Sequence, residues 1–375
     1  MGTSALVTPK VRIPWGRPTV GEQETRYVAE ALRSTWISGG AFVERLESDF
    51  AAFLGVRHAL AVSNGTAALH VAYMAVGIGA GDEVILPALT FPSCAAMVLA
   101  CGATPVFVDC DAATLGIDPA GTANAIGART RAIVPAHLFG SVCDLAPLLE
   151  TAHDTGVALI EDAAEAFGAR YDDVPVGSIG TVGCFSLHAA KTVTAGEGGV
   201  VVTNDDDIAT RVRLLRSHGF GPGRHYWSQI PGFNYRLTNL QAAIACAQLE
   251  RVASILETRR RIGARYRELL CRIPGVRSQS VPGRARMSLW VQAIVLEPDR
   301  FPQGPDAVRA SLLERGIETR PMFEPIYKLP AYERYAVSCP VAEHTAAWGL
   351  SLPVFEEMTD GDVVEVCTAL GELVS

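Results

Sequence analysis

Seven short apolar runs, separated by helical patterns, constrain the fold of this chain more than any other feature. The runs lie at 59–62, 83–86, 105–108, 132–135, 157–160, 183–186 and 199–203. Short runs of this kind are typical of strands that are buried on both faces, as in parallel sheets. Their alternation with helices predicts an α/β fold with a mostly parallel seven-stranded sheet sandwiched by helices.

Helical patterns flank these runs on both sides. Two helices are predicted at about 21–33 and 41–54, the second with an apolar side formed by Phe42, Leu46, Phe50, Phe53 and Leu54. A capping box from Thr238 to Gln241 predicts the start of a long helix that continues to about residue 270. The 375 residues suggest roughly two domains, which we place at 1–250 for the large α/β domain and 251–375 for a smaller C-terminal α/β domain.

Charge and composition exclude several classes of protein. A formal net charge of -8 argues against nucleic acid as a partner. Nine cysteines occur without a Cys-x-x-Cys spacing, so we expect reduced core residues and neither a metal site nor a disulfide framework. Residues 84–108 carry no charge, but prolines and a glycine divide them into strand, loop, helix and strand, which argues against a membrane span. With no predicted targeting segment, we expect a cytoplasmic enzyme.

Lys191 is the residue that most strongly indicates chemistry. It lies in the segment 185–199, which is rich in small and apolar residues. Poor solvation there favours the neutral amine, the form that attacks a carbonyl to give a Schiff base. Upstream, the apolar run 157–160 ends in Glu161 and Asp162. Asp162 therefore lies at the carboxyl end of a predicted strand, where open α/β sheets bind ligands.

A third signal comes from the polar turn 63–66, which opens a predicted helix with the sequence Ser-Asn-Gly-Thr. The first N–H groups of a helix form a ready anion site. Lysine, aspartate and an anion cradle together are what pyridoxal phosphate (PLP) requires, because the aspartate keeps the pyridine nitrogen protonated. A nicotinamide dehydrogenase is a weaker alternative, since the glycine-rich stretch 77–81 follows a helix and precedes a strand, the reverse of a dinucleotide fingerprint.

From about residue 13 to 353 the chain resembles the DegT/DnrJ/EryC1/StrS family of fold-type I sugar aminotransferases. The blocks that carry the resemblance are 34–40, 63–69, 81–85, 161–166, the Lys191 segment and 232–239. Within the family the chain is most similar to the perosamine- and mycosamine-forming branches. It departs from the perosamine branch at Ala190, where those relatives have Asn, and at Tyr327, where they have His. Lys191 argues against the dehydratase branch, in which histidine replaces the lysine.

The resemblance implies roles around the cofactor ring. Lys191 forms the aldimine with PLP, and Asp162 contacts the pyridine nitrogen; a helix N-cap is the alternative use of this Asp. Phe91 stacks on the ring, with simple core packing as its alternative. Glu165 is expected near the ring or its phosphate, one helical turn from Asp162. Its alternative is a solvated helix carboxylate.

The resemblance also implies a phosphate site and a shared interface. Ser186, Gly65 and Thr66 are expected to bind the phosphate. Asn234 is expected to reach the partner's cofactor phosphate across the interface of a homodimer. Candidate substrate residues are His188, which could equally be a packed histidine, and Arg224, Arg320 and Tyr327; further candidates are His225, Tyr226, Trp227 and Lys328.

By resemblance, the chain is therefore expected to be a PLP-dependent aminotransferase. Glutamate would donate the amino group, and a keto-sugar would accept it in a ping-pong cycle. The expected acceptor is a nucleotide-linked keto-deoxysugar similar to GDP-4-keto-6-deoxymannose. Two alternatives remain open: an aminotransferase for keto-cyclitols, and a non-catalytic homologue that senses a ligand.

Overall fold

The computed structural model describes residues 11–221, 223–224 and 226–375. The helices are α1 (Glu22–Arg33), α2 (Ala41–Leu54), α3 (Gly65–Ala75), α4 (Ser93–Ala100), α5 (Pro119–Ala125), α6 (Leu145–Thr155), α7 (Asp206–Leu215), α8 (Asn239–Glu250), α9 (Val252–Leu270), α10 (Gly304–Glu314), α11 (Pro340–Trp348) and α12 (Asp360–Gly371). Both predicted N-terminal helices are confirmed by α1 and α2. Among these helices, none is both long and apolar enough to cross a membrane.

Each of the seven predicted runs overlaps a strand of the large sheet, although the fourth of these strands begins at Thr130, two residues before the predicted run. The strands are β1 (His58–Val62), β2 (Glu83–Pro87), β3 (Thr104–Val108), β4 (Thr130–Ile133), β5 (Ala158–Asp162), β6 (Arg170–Tyr171), β7 (Val174–Pro175), β8 (Val182–Ser186), β9 (Gly199–Thr203), β10 (Val276–Ser278), β11 (Ala285–Arg286), β12 (Gln292–Leu296), β13 (Arg320–Pro321) and β14 (Gly349–Leu352). A seven-stranded sheet has the order β1-β9-β8-β5-β4-β2-β3, and only β9 runs antiparallel to its neighbours. The predicted fold class is confirmed.

Helices cover both faces of this sheet. Side chains alternate between the faces, so Leu60 and Val62 join one core cluster while Ala59 and Ala61 join the other. The first core also contains residues of α3, α4 and α7, and the second contains residues of α2, α6 and α8. Burial on both faces explains why the strands lack an alternating polar pattern.

The register of the sheet brings three chain segments to one edge. In β9, Gly199 pairs with Val62 on one side and with Ser186 on the other. On the next strand, Asp162 of β5 pairs with Cys184 of β8. The ends of β1, β5 and β8 therefore meet at the same edge of the sheet, where their following loops face one another.

A third core lies toward the C-terminus. The antiparallel sheet β10-β12-β14-β13 packs with α9, α10 and α12 around Phe301 and Leu350. The N-terminal segment joins this core through Ile13, which forms a bridge with Ile317. The boundary placed at 250/251 falls between α8 and α9; as a domain division it stays a prediction.

The expected helix from Thr238 to about residue 270 is correct at its start and wrong in its continuity. The capping box is present, with Thr238 and Gln241 bonding each other's backbone N–H groups. The helix is interrupted at Arg251, whose backbone angles of φ -103° and ψ 13° lie outside the helical range. The side chain of Arg251 instead bonds Glu24, Glu356 and the carbonyl of Thr19. These contacts hold the junction between α8 and α9 against the N-terminal segment.

Candidate active site

A cavity of about 830 Å³ lies at the edge of the sheet where β1, β5 and β8 end. Eight of the residues proposed from the sequence line it: Gly65, Thr66, Phe91, Asp162, Glu165, Ser186, His188 and Lys191. The volume is within the usual range of small-molecule sites. Its walls combine charged groups from the large sheet with aromatic rings from more distant segments.

The start of α3 forms one end of the cavity. Asn64 caps the helix, and its Oδ1 accepts the N–H of Ala67 at 2.8 Å. The N–H groups of Gly65 and Thr66, in the first turn, have no partner inside the helix by position. Gly65 also lies directly against Ser186, because a Cβ on this glycine would be 2.9 Å from the Ser186 Cβ. The arrangement provides N–H donors, a threonine and a serine around one small space.

Asp162 ends β5, and both of its carboxylate oxygens have protein partners. Oδ1 accepts the N–H of Ala164 at 3.1 Å, and Oδ2 accepts the thiol hydrogen of Cys94 at 2.9 Å. Burial raises the pKa of Cys94 well above its ordinary value, so the thiol keeps its proton and donates. Sequence reasoning did not identify this cysteine as part of the site.

The expected helix after Asp162 is wrong. Residues 163–169 form successive turns, with the N–H of Ala166 bonded to the carbonyl of Ala163 and that of Ala169 to Ala166. Ala163 remains tied to the sheet, because its N–H donates to the carbonyl of Cys184 at 2.9 Å. Asp162 is therefore not a helix N-cap. The turns still bring Glu165 back into the cavity beside Asp162.

Glu165 is buried, which excludes the solvated helix carboxylate. Its Oε2 accepts the N–H of Phe139 at 2.9 Å, and its Oε1 accepts a hydrogen bond from the Lys191 Nζ at 3.1 Å. Burial raises the pKa of Glu165, and the nearby Lys191 ammonium opposes that shift. Phe139 presents its N–H from a left-handed conformation with φ +60°, which costs free energy for a residue with a side chain.

Lys191 follows a turn in which its own N–H donates to the carbonyl of His188 at 2.9 Å. Its side chain is 14% exposed and lines the same cavity as Asp162. Besides Glu165, the Nζ contacts the indole ring of Trp290, with 3.6 Å between the nitrogen and the ring centroid. Trp290 is a second residue that sequence reasoning missed; it lies about 100 positions away along the chain.

Aromatic rings form a continuous wall along the cavity. Phe91 packs edge-on against Phe323 at 5.9 Å between centroids, and Phe323 stacks on Phe139 at 5.7 Å. Phe139 stacks in turn on Trp290, which meets Trp15 edge to face at 5.5 Å. Phe91 is 54% exposed, so it is not a simple core residue. An exposed ring at a cavity wall is available to stack on a planar ligand.

Glu161, beside Asp162, belongs to the framework behind the cavity. It is fully buried and accepts the N–H groups of Gly177, Ile179 and Gly180 at 2.6, 2.8 and 2.7 Å. The Nε2 of His137 lies 3.1 Å from the same carboxylate. Because Cys143 donates its N–H to the His137 Nδ1, the ring is left to donate through Nε2. Glu161 thus bonds the backbone behind the cavity, whereas the adjacent Asp162 lines the cavity itself.

Four of the proposed site residues lie outside the cavity lining: Asn234, Arg224, Arg320 and Tyr327. Asn234 is exposed, and its Oδ1 accepts a bond from Arg236. Arg224 stacks over Trp227 at 3.9 Å, and Arg320 bonds Glu318 at 2.6 Å. His225 lies outside the described residues. Their proposed roles stay predictions.

Tyr327 is buried, and its hydroxyl donates to Glu343 at 2.6 Å. Burial raises the pKa of Tyr327, so the phenol keeps its proton. The partner of that hydroxyl is thus Glu343, away from the cavity. By contrast, His188 lines the cavity with half of its side chain exposed, which excludes a packed histidine.

Comparison with known proteins agrees with this geometry. The model of the DegT/DnrJ/EryC1/StrS aminotransferase family matches residues 18–371. A GDP-perosamine synthase from Caulobacter vibrioides is 43% identical over 96% of this chain and 98% of its own. The structure of the aminotransferase TlmJ from Streptoalloteichus hindustanus superposes with a TM-score of 0.90, with 32% identity over 96% of this chain and 98% of its own. A Streptococcus pneumoniae protein solved in a PLP form has a TM-score of 0.91 and 25% identity, covering 96% and 98%.

Proposed function

The chain belongs to the DegT/DnrJ/EryC1/StrS aminotransferase family, and within it we propose that it uses PLP to move an amino group from glutamate to a nucleotide-linked keto-sugar. One observation supports the proposal more than any other. Lys191, Asp162 and the anion cradle at Gly65 and Ser186 line a single cavity, although they come from separate segments of the chain. The keto-cyclitol alternative is not favoured by the relatives, and an intact set of groups argues against a non-catalytic homologue.

The residues present match the needs of the cofactor. The free N–H groups at the start of α3, with Ser186 beside them, suit a phosphate. Asp162 offers a buried carboxylate for a protonated ring nitrogen, and Phe91 offers an exposed ring for stacking. When bound there, PLP would supply an electron sink for the electrons released at the carbon that loses its proton.

Lys191 would provide the proton transfers. Among the described residues, its Nζ is the one lysine amine in the cavity lining, and it lies beside the carboxylate of Glu165. As a neutral amine it would remove the α-proton of glutamate, and as an ammonium it would return a proton in the next step. Glu165 would hold the Nζ in place between these transfers. Because one product leaves before the second substrate binds, ping-pong kinetics are expected.

The acceptor is proposed from the relatives. The Caulobacter vibrioides protein is named a GDP-perosamine synthase, and on that basis we propose a GDP-linked 4-keto-6-deoxy sugar. Arg320 lies at the edge of the aromatic wall, with its guanidinium 5.8 Å from the Trp15 ring. Arg224 lies in the loop that precedes Asn234. Arginine side chains can bind phosphate oxygens in pairs, so both are proposed to contact the diphosphate.

A homodimer with shared sites is part of the proposal. Asn234 is exposed and outside the lining of its own cavity, as expected of a residue that serves the partner. Trp36 and Ile37 are 70% and 48% exposed, and the Trp36 carbonyl accepts a bond from Asn239. Exposed apolar side chains on an ordered backbone suit an interface with a second copy. We also propose that the enzyme works in the cytoplasm.

Coexpression of two inactive variants tests the shared site. Lys191→Ala and Asn234→Ala would each be inactive or weak alone, but mixed dimers would contain one intact site. Random assembly predicts activity of about one quarter of wild type. Activity no higher than that of the separate variants would refute the shared site. Size-exclusion chromatography with light scattering is the control for assembly.

The acceptor is tested with glutamate labelled at its amino nitrogen and a panel of GDP- and TDP-linked 4-keto and 3-keto sugars, with keto-cyclitols as competitors. Mass spectrometry would detect the label in the product. The proposal predicts fastest transfer to the GDP-linked 4-keto sugar. Transfer only to a keto-cyclitol would refute the sugar assignment, and no turnover of glutamate would refute the aminotransferase assignment.

A further inference from the structure

Trp290 makes two separate contacts with the lysine-bearing turn. Its indole Nε1 donates to the carbonyl of Ala190 at 2.6 Å, and its ring face lies 3.6 Å from the Lys191 Nζ. The first contact fixes the backbone next to the lysine, and the second acts on the amine itself. The ring is 5% exposed, so water competes little with either contact.

These contacts belong to a closed cycle of interactions. Lys191 bonds Glu165, and Glu165 accepts the N–H of Phe139. The side chain of Phe139 then stacks on the indole of Trp290, which completes the cycle. The backbone N–H of Trp290 also donates to the carbonyl of Phe139 at 3.2 Å. Each member therefore limits the movement of the next.

A buried arginine supports this arrangement from behind. The guanidinium of Arg259, in α9, donates to the carbonyls of Leu289 and Trp290 at 3.2 and 3.0 Å. Arg259 is only 6% exposed, and this burial lowers its pKa to about 10. Trp290 is thus held through its backbone carbonyl by α9, while its side chain packs in the first core against the large sheet.

We propose that Trp290 is a positioning residue for Lys191: its N–H orients the turn, and its ring holds the protonated ε-amine beside Glu165 whenever the lysine is not linked to the cofactor. This inference rests on the proposed function. A cation is attracted to the face of an indole ring, whereas a neutral amine is not. The ring therefore favours the form of Lys191 that returns a proton, and Glu165 does the same from the other side.

Amine labelling of the cofactor-free protein tests the ring contact. The protein would be acetylated for short times at one fixed pH, and the Lys191 peptide would be quantified by mass spectrometry. An amine held by the ring and by Glu165 reacts slowly, so the rate reports how firmly these contacts hold Lys191. The chain has three lysines, so the exposed Lys328 provides an internal reference.

In Trp290→Leu, Lys191 is expected to be acetylated about tenfold faster than in the wild type at the same pH, relative to Lys328, because the amine loses the aromatic partner that holds it beside Glu165. Trp290→Phe keeps a ring face and should keep the wild-type rate. A wild-type rate in a folded Trp290→Leu protein would overturn the role of the ring. Trp348→Phe, in α11 outside the cavity lining, is the matched control.

Trp290→Phe separately tests the N–H contact and covers a failure of Trp290→Leu to fold. Loss of one hydrogen bond to the Ala190 carbonyl should weaken PLP binding about fivefold. An unchanged PLP affinity of Trp290→Phe would overturn the role of the N–H contact with Ala190. If the wild type binds no PLP, the proposed function fails, whereas the labelling rates of Trp290→Phe and Trp290→Leu still decide the ring contact.

Discussion

The close approach of β9 to the anion cradle makes Gly199→Ala a sharp test of the phosphate site. A Cβ at Gly199 would lie 2.5 Å from the carbonyl oxygen of Asn64 and 2.9 Å from the nitrogen of Gly65. Both atoms are backbone, so no side chain can rotate away. Because Gly199 is paired in the sheet with Val62 and Ser186, the turn must move rather than the strand, by nearly an ångström.

That displacement has an expected magnitude. Overpacking of this kind costs about 1–3 kcal/mol. Hydrogen bonds to a charged group are worth about 1.5–3 kcal/mol each, and the moved N–H groups of Gly65 and Thr66 would lose part of theirs. Since about 1.4 kcal/mol corresponds to a factor of ten, the affinity for PLP should fall about 10- to 100-fold.

The assay is a titration of cofactor-free protein with PLP, followed by absorbance, with thermal unfolding in parallel. Gly79→Ala is the matched control, because a Cβ there would meet nothing within 4 Å. Near-normal affinity in Gly199→Ala would refute the assignment of this turn as the phosphate cradle. An equal loss in Gly79→Ala would show that the assay reports general stability.

Three further predictions concern single side chains. Cys94→Val removes the thiol that donates to Asp162 and should weaken PLP binding about fivefold in the same titration. Cys94→Ser keeps a hydrogen-bond donor and should bind PLP with nearly wild-type affinity. Because burial raises the pKa of Glu165, the stability that its proton confers is present below about pH 4.5 and is lost as the pH rises through the folded-state pKa. The melting temperature of Glu165→Gln should therefore rise relative to that of the wild type as the pH rises. A difference in melting temperature that stays constant with pH would contradict this. Phe50→Ala, in the second core against Phe167 and Phe185, should cost about 3–5 kcal/mol in denaturant unfolding, and a cost below about 1 kcal/mol would contradict the packing.

Much of the fold is local in the sequence. Each strand of the large sheet is a short apolar run, and Thr238 and Gln241 form the capping box expected from their spacing. The glycine-rich stretch 77–81 is a connection between α3 and β2, as its position indicated. Such signals depend on neighbours a few residues apart, so one sequence is enough to read them.

The parts that were missed depend on distant contacts. Nothing near Trp290 in the sequence indicates that its indole reaches the carbonyl of Ala190, and nothing near Cys94 indicates a bond to Asp162. The expectation that Glu165 lies one helical turn from Asp162 is wrong about the helix. The N–H of Ala163 bonds the sheet instead, at the carbonyl of Cys184, and no local pattern indicates that contact. Arg251 interrupts the long helix at a junction that contacts the N-terminal segment, which no local pattern shows.

The most direct test of the central claim is the visible absorption spectrum of the purified protein with PLP, compared with that of Lys191→Ala. If the cavity holds the cofactor through Lys191, the wild type will show the absorption of lysine-linked PLP and borohydride will fix the cofactor's mass on the Lys191 peptide. Lys191→Ala will show neither. A wild-type protein that takes up no PLP, or a cofactor fixed to another lysine, would contradict the account.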